Sequence, residues 1–391
     1  MSNIALFQLM LDVRSRRGPD VFFPMFFGEY ERSTEGKNRI YYFVKTDNRE
    51  GVIAEFQKIG LDISHVIFLD LHHSRFKSVL DNFQLFSKLI RYRINVLHLL
   101  TYIGEEEYLH FLKFIKQLPR IIAPKLAFTV TYNGIPTAFE KDYDKRFAKD
   151  RAKYGKLFSS IQFDGILTWY DSFRDFALKH PMFSYRPIVY SIKSRFCDYS
   201  RFHPIVKEKI IMWASALVNY KGPMMFLQAI DILYKKEPLL FIDWKIVIAG
   251  SGPMESEMRE FILSRRLSMC ELITDVSDIS ELLNRSMCYV STQEIDNFPS
   301  LAMNEAMGAG NVIIARNVGR TDLFVKEGKN GFLTKTDDAT GLAESIGIFL
   351  KDSSNHKTMM DHSIHLTKTV HTPSNFIRQM DEFWGSVIGT K

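Results

Sequence analysis

The chain has 391 residues, 46% hydrophobic and 25% charged, with a formal net charge of +6. That length exceeds one ordinary core and predicts two domains, and the composition excludes disordered and fibrous classes. No apolar run approaches the roughly 20 residues that cross a bilayer, and three scattered cysteines (Cys197, Cys270, Cys288) without a CxxC argue against a disulfide framework or zinc site and for a reducing cytoplasm.

The opening MSNIALFQLMLDVRSRR carries its basic cluster after the apolar run, the reverse of a signal peptide, and reads as a first strand. Further β-branched runs follow in RIYYFVKT, HVIFLDL, NVLHLLTY, KLAFTVTY, GILTWY and RPIVYSI. Helical spacing appears in RFKSVLDNFQLFSKLIRYR, EEEYLHFLKFIKQL, FEKDYDKRFAKDRAKYGKLFSSI and SFRDFALKH. The charged, pattern-poor stretch SIKSRFCDYSRFHPIVKEK then interrupts the alternation. It resumes with the strands KIIMWASAL, WKIVIAG, ELITDV, MCYVST and NVIIARN between the helices PMMFLQAIDILYKK, ESEMREFILSRR, ISELLNR, SLAMNEAMG and GLAESIGIFLKD, and closes on PSNFIRQMDEFWGSVI. Short strands separated by helices predict right-handed β-α-β units and parallel sheets covered on both faces. The expected domains are residues 1–200, 201–372 and a C-terminal helix in 373–391. Ligands bind beyond the carboxyl ends of such strands, so a site is expected in a cleft between two facing sheets.

Four local patterns bear on chemistry. WKIVIAGSGP ends a strand in Gly250 and Gly252 but has Glu255 where a dinucleotide fingerprint needs its third glycine, leaving a turn that lets backbone approach a ligand. Lys221-Gly222 lies in a loop before a helix, where a lysine can reach a phosphate with help from the helix dipole; it equally suits a solvated loop. Asp142-Tyr143-Asp144 spells DxD inside a charge-rich amphipathic segment, and His72-His73 makes a poor metal pair, so neither is taken as a metal site. In EIDNFPSLAMNEAMGAGNVIIA a strand ends, an acidic cluster follows, and a helix begins near Pro299 to Ser300, capped by Ser300 or Asn297. Its first N–H groups suit a diphosphate. Glu305 then stands where it can accept hydrogen bonds from vicinal hydroxyls or pair with a neighbouring cation.

DNFPSLAMNEAMGAGNVIIARNVG followed by LFVKEGKNGFL resembles the signature of retaining glycosyltransferases of family 4, which have the GT-B fold. SALVNYKG resembles that family's phosphate-binding lysine loop, VIAGSGP its glycine turn, and VSDISELLNRSMCYVSTQ the segment leading into the motif. The likeness covers nearly the whole second half. In the first half only INVLHLLTY, a strand with a histidine, resembles the family.

The resemblance implies two Rossmann-like domains facing across a cleft, with the last helix returning to the first. It implies a retaining transfer from a nucleotide-diphosphate sugar to a glycan or lipid-linked acceptor in cell-surface polysaccharide assembly. No metal or other cofactor and no nucleic acid is expected. It implies catalytic roles for Lys221, Asp296 and Glu305, with Glu305 on the donor ribose and the upstream carboxylate on the transferred sugar. The donor site would further comprise Gly250, Gly252, Glu294, Asn297, Phe298, Ser300 and Leu301, and the acceptor would meet His98 and Tyr132.

The chain departs from the family in four places. Counting back from Glu305 by the family's seven-residue spacing lands on Asn297, so Glu294, Asp296 and Asn297 compete for the first acidic position. Ala216 stands where the family has an arginine five residues before its lysine. The glycine-rich loop after the first strand is missing, with only Gly18 in MLDVRSRRGPD. Tyr132 replaces a histidine of the fifth strand. Ala216 favours a competing reading, a GT-B protein that binds a nucleotide sugar or partner without catalysis; Lys221 and Glu305 oppose it. Basic residues gather in the first half (Arg14, Arg16 and Arg17, then Arg75, Lys77, Lys88, Arg91 and Arg93 along a helical stripe), as a solvated face or as a contact with an anionic membrane surface.

Overall fold

Each run read as a buried strand is a strand in the computed structural model, which describes residues 1–8, 11, 18–46, 48–58, 60–69, 78–100, 126–132, 155, 157–274, 278–294 and 296–389. The chain divides into two compact units, the first holding Met1–Lys193 and Pro373–Lys391 and the second Ser194–Thr372.

In the first unit the strands β1 (Asn3–Gln8), β2 (Arg39–Lys45), β3 (Val66–Leu69), β4 (Val96–Leu99), β5 (Ala127–Tyr132), β6 (Gly165–Thr168) and β7 (Ile188–Ser191) form one sheet in the order β3-β2-β1-β4-β5-β6-β7. Every pairing is parallel. The described helices here are α1 (Gly18–Arg32), α2 (Arg49–Lys58), α3 (Ser78–Arg91) and α4 (Asp171–Lys179).

The second unit begins with β8 (Glu208–Ala214), α5 (Pro223–Lys236), β9 (Lys245–Ala249), α6 (Glu255–Ser264), β10 (Cys270–Ile273) and α7 (Ser280–Arg285). It continues with β11 (Ser286–Ser291), α8 (Leu301–Gly308), β12 (Val312–Ala315), β13 (Gly331–Leu333), α9 (Ala339–Lys351) and α10 (His356–Thr369). Its parallel sheet runs β10-β9-β8-β11-β12-β13. In both sheets the order reverses beside a central strand, which is the doubly wound Rossmann arrangement. Helices α1, α2 and α10 and strand β13 were not expected from the sequence.

The last helix, α11 (Pro373–Gly389), belongs to the first unit. Phe376, Phe383 and Trp384 are fully buried, and Phe376 meets Phe22 and Phe26 of α1 edge-on at 5.1 and 5.0 Å between ring centroids. Asp381 fixes the helix in register. Its carboxylate accepts from the Tyr30 hydroxyl (2.5 Å), the Lys37 N–H (2.9 Å) and the Asn38 amide (2.8 Å). Burial and the Asp381 carboxylate both hold the Tyr30 phenol far above its ordinary range. Trp384→Ala is therefore expected to destabilise the first unit by about 3–5 kcal/mol and leave the second unit unchanged, as read by hydrogen exchange resolved by segment.

Candidate functional site

In the second unit the loops at the carboxyl ends of β8, β9, β11 and β12 meet, and the residues singled out from the sequence lie there. The β9 turn closes against the β8 loop. Leu217 N–H donates to Ser251 O (2.9 Å) and Met254 N–H to Leu217 O (3.2 Å). Gly250 and Gly252 have φ of 150° and 156°. A Cβ on either would stand 1.9 Å from Ser215 O or 2.5 Å from Leu217 O. The glycines thus admit neighbouring backbone, where the sequence suggested the close approach of a ligand.

Lys221 ends a single helical turn, Asn219–Lys221, ahead of Gly222, whose φ of 68° starts α5. The Lys221 ammonium donates to Gln293 Oε1 at 2.6 Å and sits 5.4 Å from the centroid of the Tyr220 ring. No carboxylate lies within ion-pair distance among the described residues. Burial pulls its pKa down. The loop is pinned by Thr292, whose hydroxyl accepts from Trp213 Nε1 (2.8 Å) and lies 2.8 and 2.9 Å from the carbonyls of Lys221 and Gly222. Thr292 O in turn accepts from Arg316 Nη1 (3.2 Å).

The three competitors for the acidic position separate clearly. Asn297 is fully buried: Oδ1 accepts from Ser291 (2.5 Å), and Nδ2 donates to Arg316 O (3.1 Å) and Thr321 Oγ1 (2.8 Å). It joins the end of β11 to the β12 loop, and an amide is needed because the position must donate as well as accept. Phe298 is also buried, its ring 5.2 Å from Phe324. Asn297 and Phe298 are therefore struts, and their side chains offer a donor nothing. Asp296 is partly exposed; Oδ1 accepts from Phe298 N–H (2.8 Å) and Arg320 N–H (2.9 Å). Burial outweighs those two N–H groups and pushes its carboxyl up to about 6. Glu294 is also partly exposed, with its N–H on Tyr220 O (3.1 Å).

Ser300 caps α8 through Oγ to Met303 N–H (3.3 Å), while its own N–H is spent on Asn297 O (2.7 Å) and is not the free donor expected. The N–H groups of Leu301 and Ala302 have no acceptor among the described residues. Glu305 follows on the same helix, partly exposed and without a hydrogen bond or ion pair to its carboxylate among the described residues. Burial pushes its carboxyl up to about 7, against the pull of the Arg201 and Arg195 guanidinium groups. Around it the helix is fastened firmly. Asn304 Nδ2 donates to Arg195 O (3.2 Å), and Tyr199 Oη lies 3.0 Å from Asn304 Oδ1 and 2.7 Å from His371 O. The Lys207 ammonium reaches Ala309 O and Ser286 O (both 2.7 Å) at the ends of α8 and α7. Gln293, Thr292 and Asn304 carry no motif and were not singled out from the sequence.

The two expected acceptor contacts are corrected. His98 is fully buried on β4, its ring nitrogens 2.7 Å from Thr129 Oγ1 and 2.8 Å from Thr131 Oγ1, with Trp384 of α11 edge-on. Burial pulls its pKa to about 3, so the imidazole is neutral. Tyr132 is packed 4.5 Å from Phe173 and 5.3 Å from Phe158. A sheet covered on both faces turns mid-strand polar residues into core. The Asp142-Tyr143-Asp144 and His72-His73 patterns, and Arg14, Arg16, Arg17, Arg75 and Lys77, lie outside the described residues.

Because the folded value of Glu305 stands above its ordinary 4.5, the protonated form favours the fold. That contribution is complete below about 4.5 and is lost as pH climbs through about 7, on the order of 3 kcal/mol at most. Glu305→Gln is expected to flatten the fall in unfolding temperature between pH 5 and pH 8 in calorimetry.

The family model described as glycosyl transferases group 1 matches residues 198–364. A Campylobacter jejuni GalNAc-alpha-(1->4)-GalNAc-alpha-(1->3)-diNAcBac-PP-undecaprenol alpha-1,4-N-acetyl-D-galactosaminyltransferase is 23% identical over 157 residues, 40% of this chain and 43% of that protein. A Bacillus anthracis N-acetyl-alpha-D-glucosaminyl L-malate synthase is 28% identical over 119 residues, 30% of this chain. The chain thus spans under half the length of these curated relatives, 43% and 31%. Among solved structures, sucrose-phosphate synthase from Thermosynechococcus elongatus aligns with a TM-score of 0.71 at 14% identity over 100% of both chains. Anabaena HepE in complex with UDP and glucose aligns with a TM-score of 0.67 at 12% identity, over 98% of this chain and 99% of that one. At these identities the likeness is one of fold, and the fold is GT-B, with two Rossmann-like units.

Proposed function

We propose that this chain, whose residues 198–364 match the glycosyl transferases group 1 model, moves a sugar from a nucleotide-diphosphate donor to a glycan or lipid-linked acceptor with retention at the anomeric carbon. The observation that carries the reading is the Lys221 ammonium, half-buried on the β8 loop and matched by no carboxylate within ion-pair distance among the described residues. A cation withdrawn in part from water and left uncompensated carries a desolvation cost that a bound anion offsets. When the sugar–phosphate bond breaks, negative charge grows on the departing diphosphate. Lys221 and the open N–H groups of Leu301 and Ala302 supply positive potential for it. Glu305, ionised above about 7, accepts hydrogen bonds from the donor's hydroxyls. Asp296, with Glu294 beside it, takes the transferred sugar in this reading, since Asn297 is internal. The departing phosphate oxygen takes the acceptor proton, and the reaction needs no metal.

Two kinds of support come from similar proteins: the C. jejuni relative is named for an acceptor carried on PP-undecaprenol, and HepE was captured with UDP and glucose. The competing reading, binding without transfer, rests on Ala216; the Glu305 carboxylate, without a hydrogen bond or ion pair among the described residues, weighs against it. NMR of the product formed from an α-linked nucleotide sugar is expected to show the α anomer. A β product contradicts retention.

For a lipid-linked acceptor the protein would work at the cytoplasmic face of a membrane, within cell-surface polysaccharide assembly. Helix α3 supports that placement: Phe83 is 71% exposed and Ile90 47%, one stripe along the helix, with Arg91 and Arg93 exposed beyond them. Each basic residue near an anionic surface contributes about 1 kcal/mol. Cosedimentation with phosphatidylglycerol liposomes is expected at low salt and lost at high salt. No cosedimentation at low salt contradicts membrane attachment and favours a soluble acceptor.

A further inference from the structure

Several cations around the loops of the second unit are matched in ways that use up their charge or their donors. Arg316 is paired to both oxygens of Asp337 at 2.6 and 2.7 Å, Arg285 to Glu208 at 2.6 Å, and Arg201 to Asp278 at 2.8 Å. Lys207 spends its ammonium on carbonyls at the ends of two helices. Lys221 is held differently. Its partners are the side-chain oxygen of Gln293 at 2.6 Å and the face of Tyr220, 5.4 Å away, and both are neutral. An amide oxygen and an aromatic face orient an ammonium without cancelling its charge. A glutamate at position 293 would differ from glutamine by one terminal atom and would close an ion pair. Glu294, the next residue, is a carboxylate that forms no ion pair with Lys221, and its N–H donates to Tyr220 O.

We infer that Gln293 is a positioning residue, holding the Lys221 ammonium at the carboxyl end of the sheet while leaving its charge for a diphosphate. The inference rests on the donor-site reading above and adds a residue to it. Thr292 makes the arrangement rigid. Its hydroxyl, fixed by Trp213 Nε1, reaches the carbonyls of Lys221 and Gly222, so the backbone of residue 221 and the side chain of residue 293 are set by adjacent positions of one segment. Gly222 lets the two segments touch, since a Cβ there would stand 2.4 Å from Thr292 O. Burial lowers the Lys221 pKa with no opposing carboxylate among the described residues, in keeping with a charge held open.

The test compares Gln293→Glu, Gln293→Met and Lys221→Ala with wild type, measuring UDP and GDP dissociation constants by calorimetry alongside thermal unfolding. Gln293→Glu is expected to weaken whichever nucleotide binds wild type by at least tenfold while leaving the unfolding temperature unchanged or higher, because the new carboxylate closes an ion pair with Lys221. Gln293→Met, which removes the oxygen and adds no charge, is expected to lose only a few fold, and Lys221→Ala on the order of a hundredfold. The opposite movement of affinity and stability in Gln293→Glu is a signature that loss of packing does not produce. If Gln293→Glu binds as wild type does while Lys221→Ala is weak, the role of Gln293 is overturned and the donor site stands. If Gln293→Met loses as much as Gln293→Glu, the effect is steric and the role is again overturned. If Lys221→Ala binds as wild type does, or wild type binds neither nucleotide, the donor-site reading itself falls.

Discussion

A half-buried ammonium must be kept in place without being neutralised, and the loops at the carboxyl end of the second sheet are arranged around that requirement. Lys221 hangs from a turn whose carbonyls meet the Thr292 hydroxyl, and its tip meets a neutral oxygen. Trp213 fixes Thr292 from inside the sheet, and Arg316, already satisfied by Asp337, braces the Thr292 carbonyl. The glycines of the β9 turn let the neighbouring loop close behind this assembly. Each contact spends a neutral group or a paired charge, so the single positive charge is left with its field intact in a region where water screens it poorly.

Helix α8 meets a second requirement, a carboxylate held still and left without a partner among the described residues. Asn304 is bonded to Arg195 O and to Tyr199, Ser300 closes the first turn, and Lys207 gathers the carbonyls at the far end. Glu305 stands among these anchors with its carboxyl unbonded among the described residues. Rigid support on both sides of a polar group that bonds to nothing nearby is the arrangement expected of a ligand contact, because preorganisation removes the ordering cost at the moment of binding.

Much of the fold was legible because strands buried on both faces leave long β-branched runs between helices, and such runs are hard to mistake. Helix α1 escaped because GPDVFFPMFFGEYER is apolar on most sides and carries Pro24, which blurs the helical period. The three-residue β13 is too short for alternation to register, and α10 is rich in polar residues. The candidate site was drawn at Lys221, Asp296 and Glu305 from their types and order. It was misread at Asn297, where counting along the chain says nothing of burial, and at His98, whose covering helix lies 286 positions away at Trp384. Gln293 is an ordinary polar residue in sequence; only its distance to an ammonium gives it meaning.

The account stands on a diphosphate completing the charge of Lys221. Calorimetric titration of the intact protein with a nucleoside diphosphate and with the same nucleoside lacking phosphates measures what the phosphates add. The account predicts that the diphosphate binds on the order of tenfold to a hundredfold more tightly, the worth of a charge-assisted contact, and that the difference shrinks as salt is raised. Equal affinity for the two, or a preference for the bare nucleoside, would contradict it.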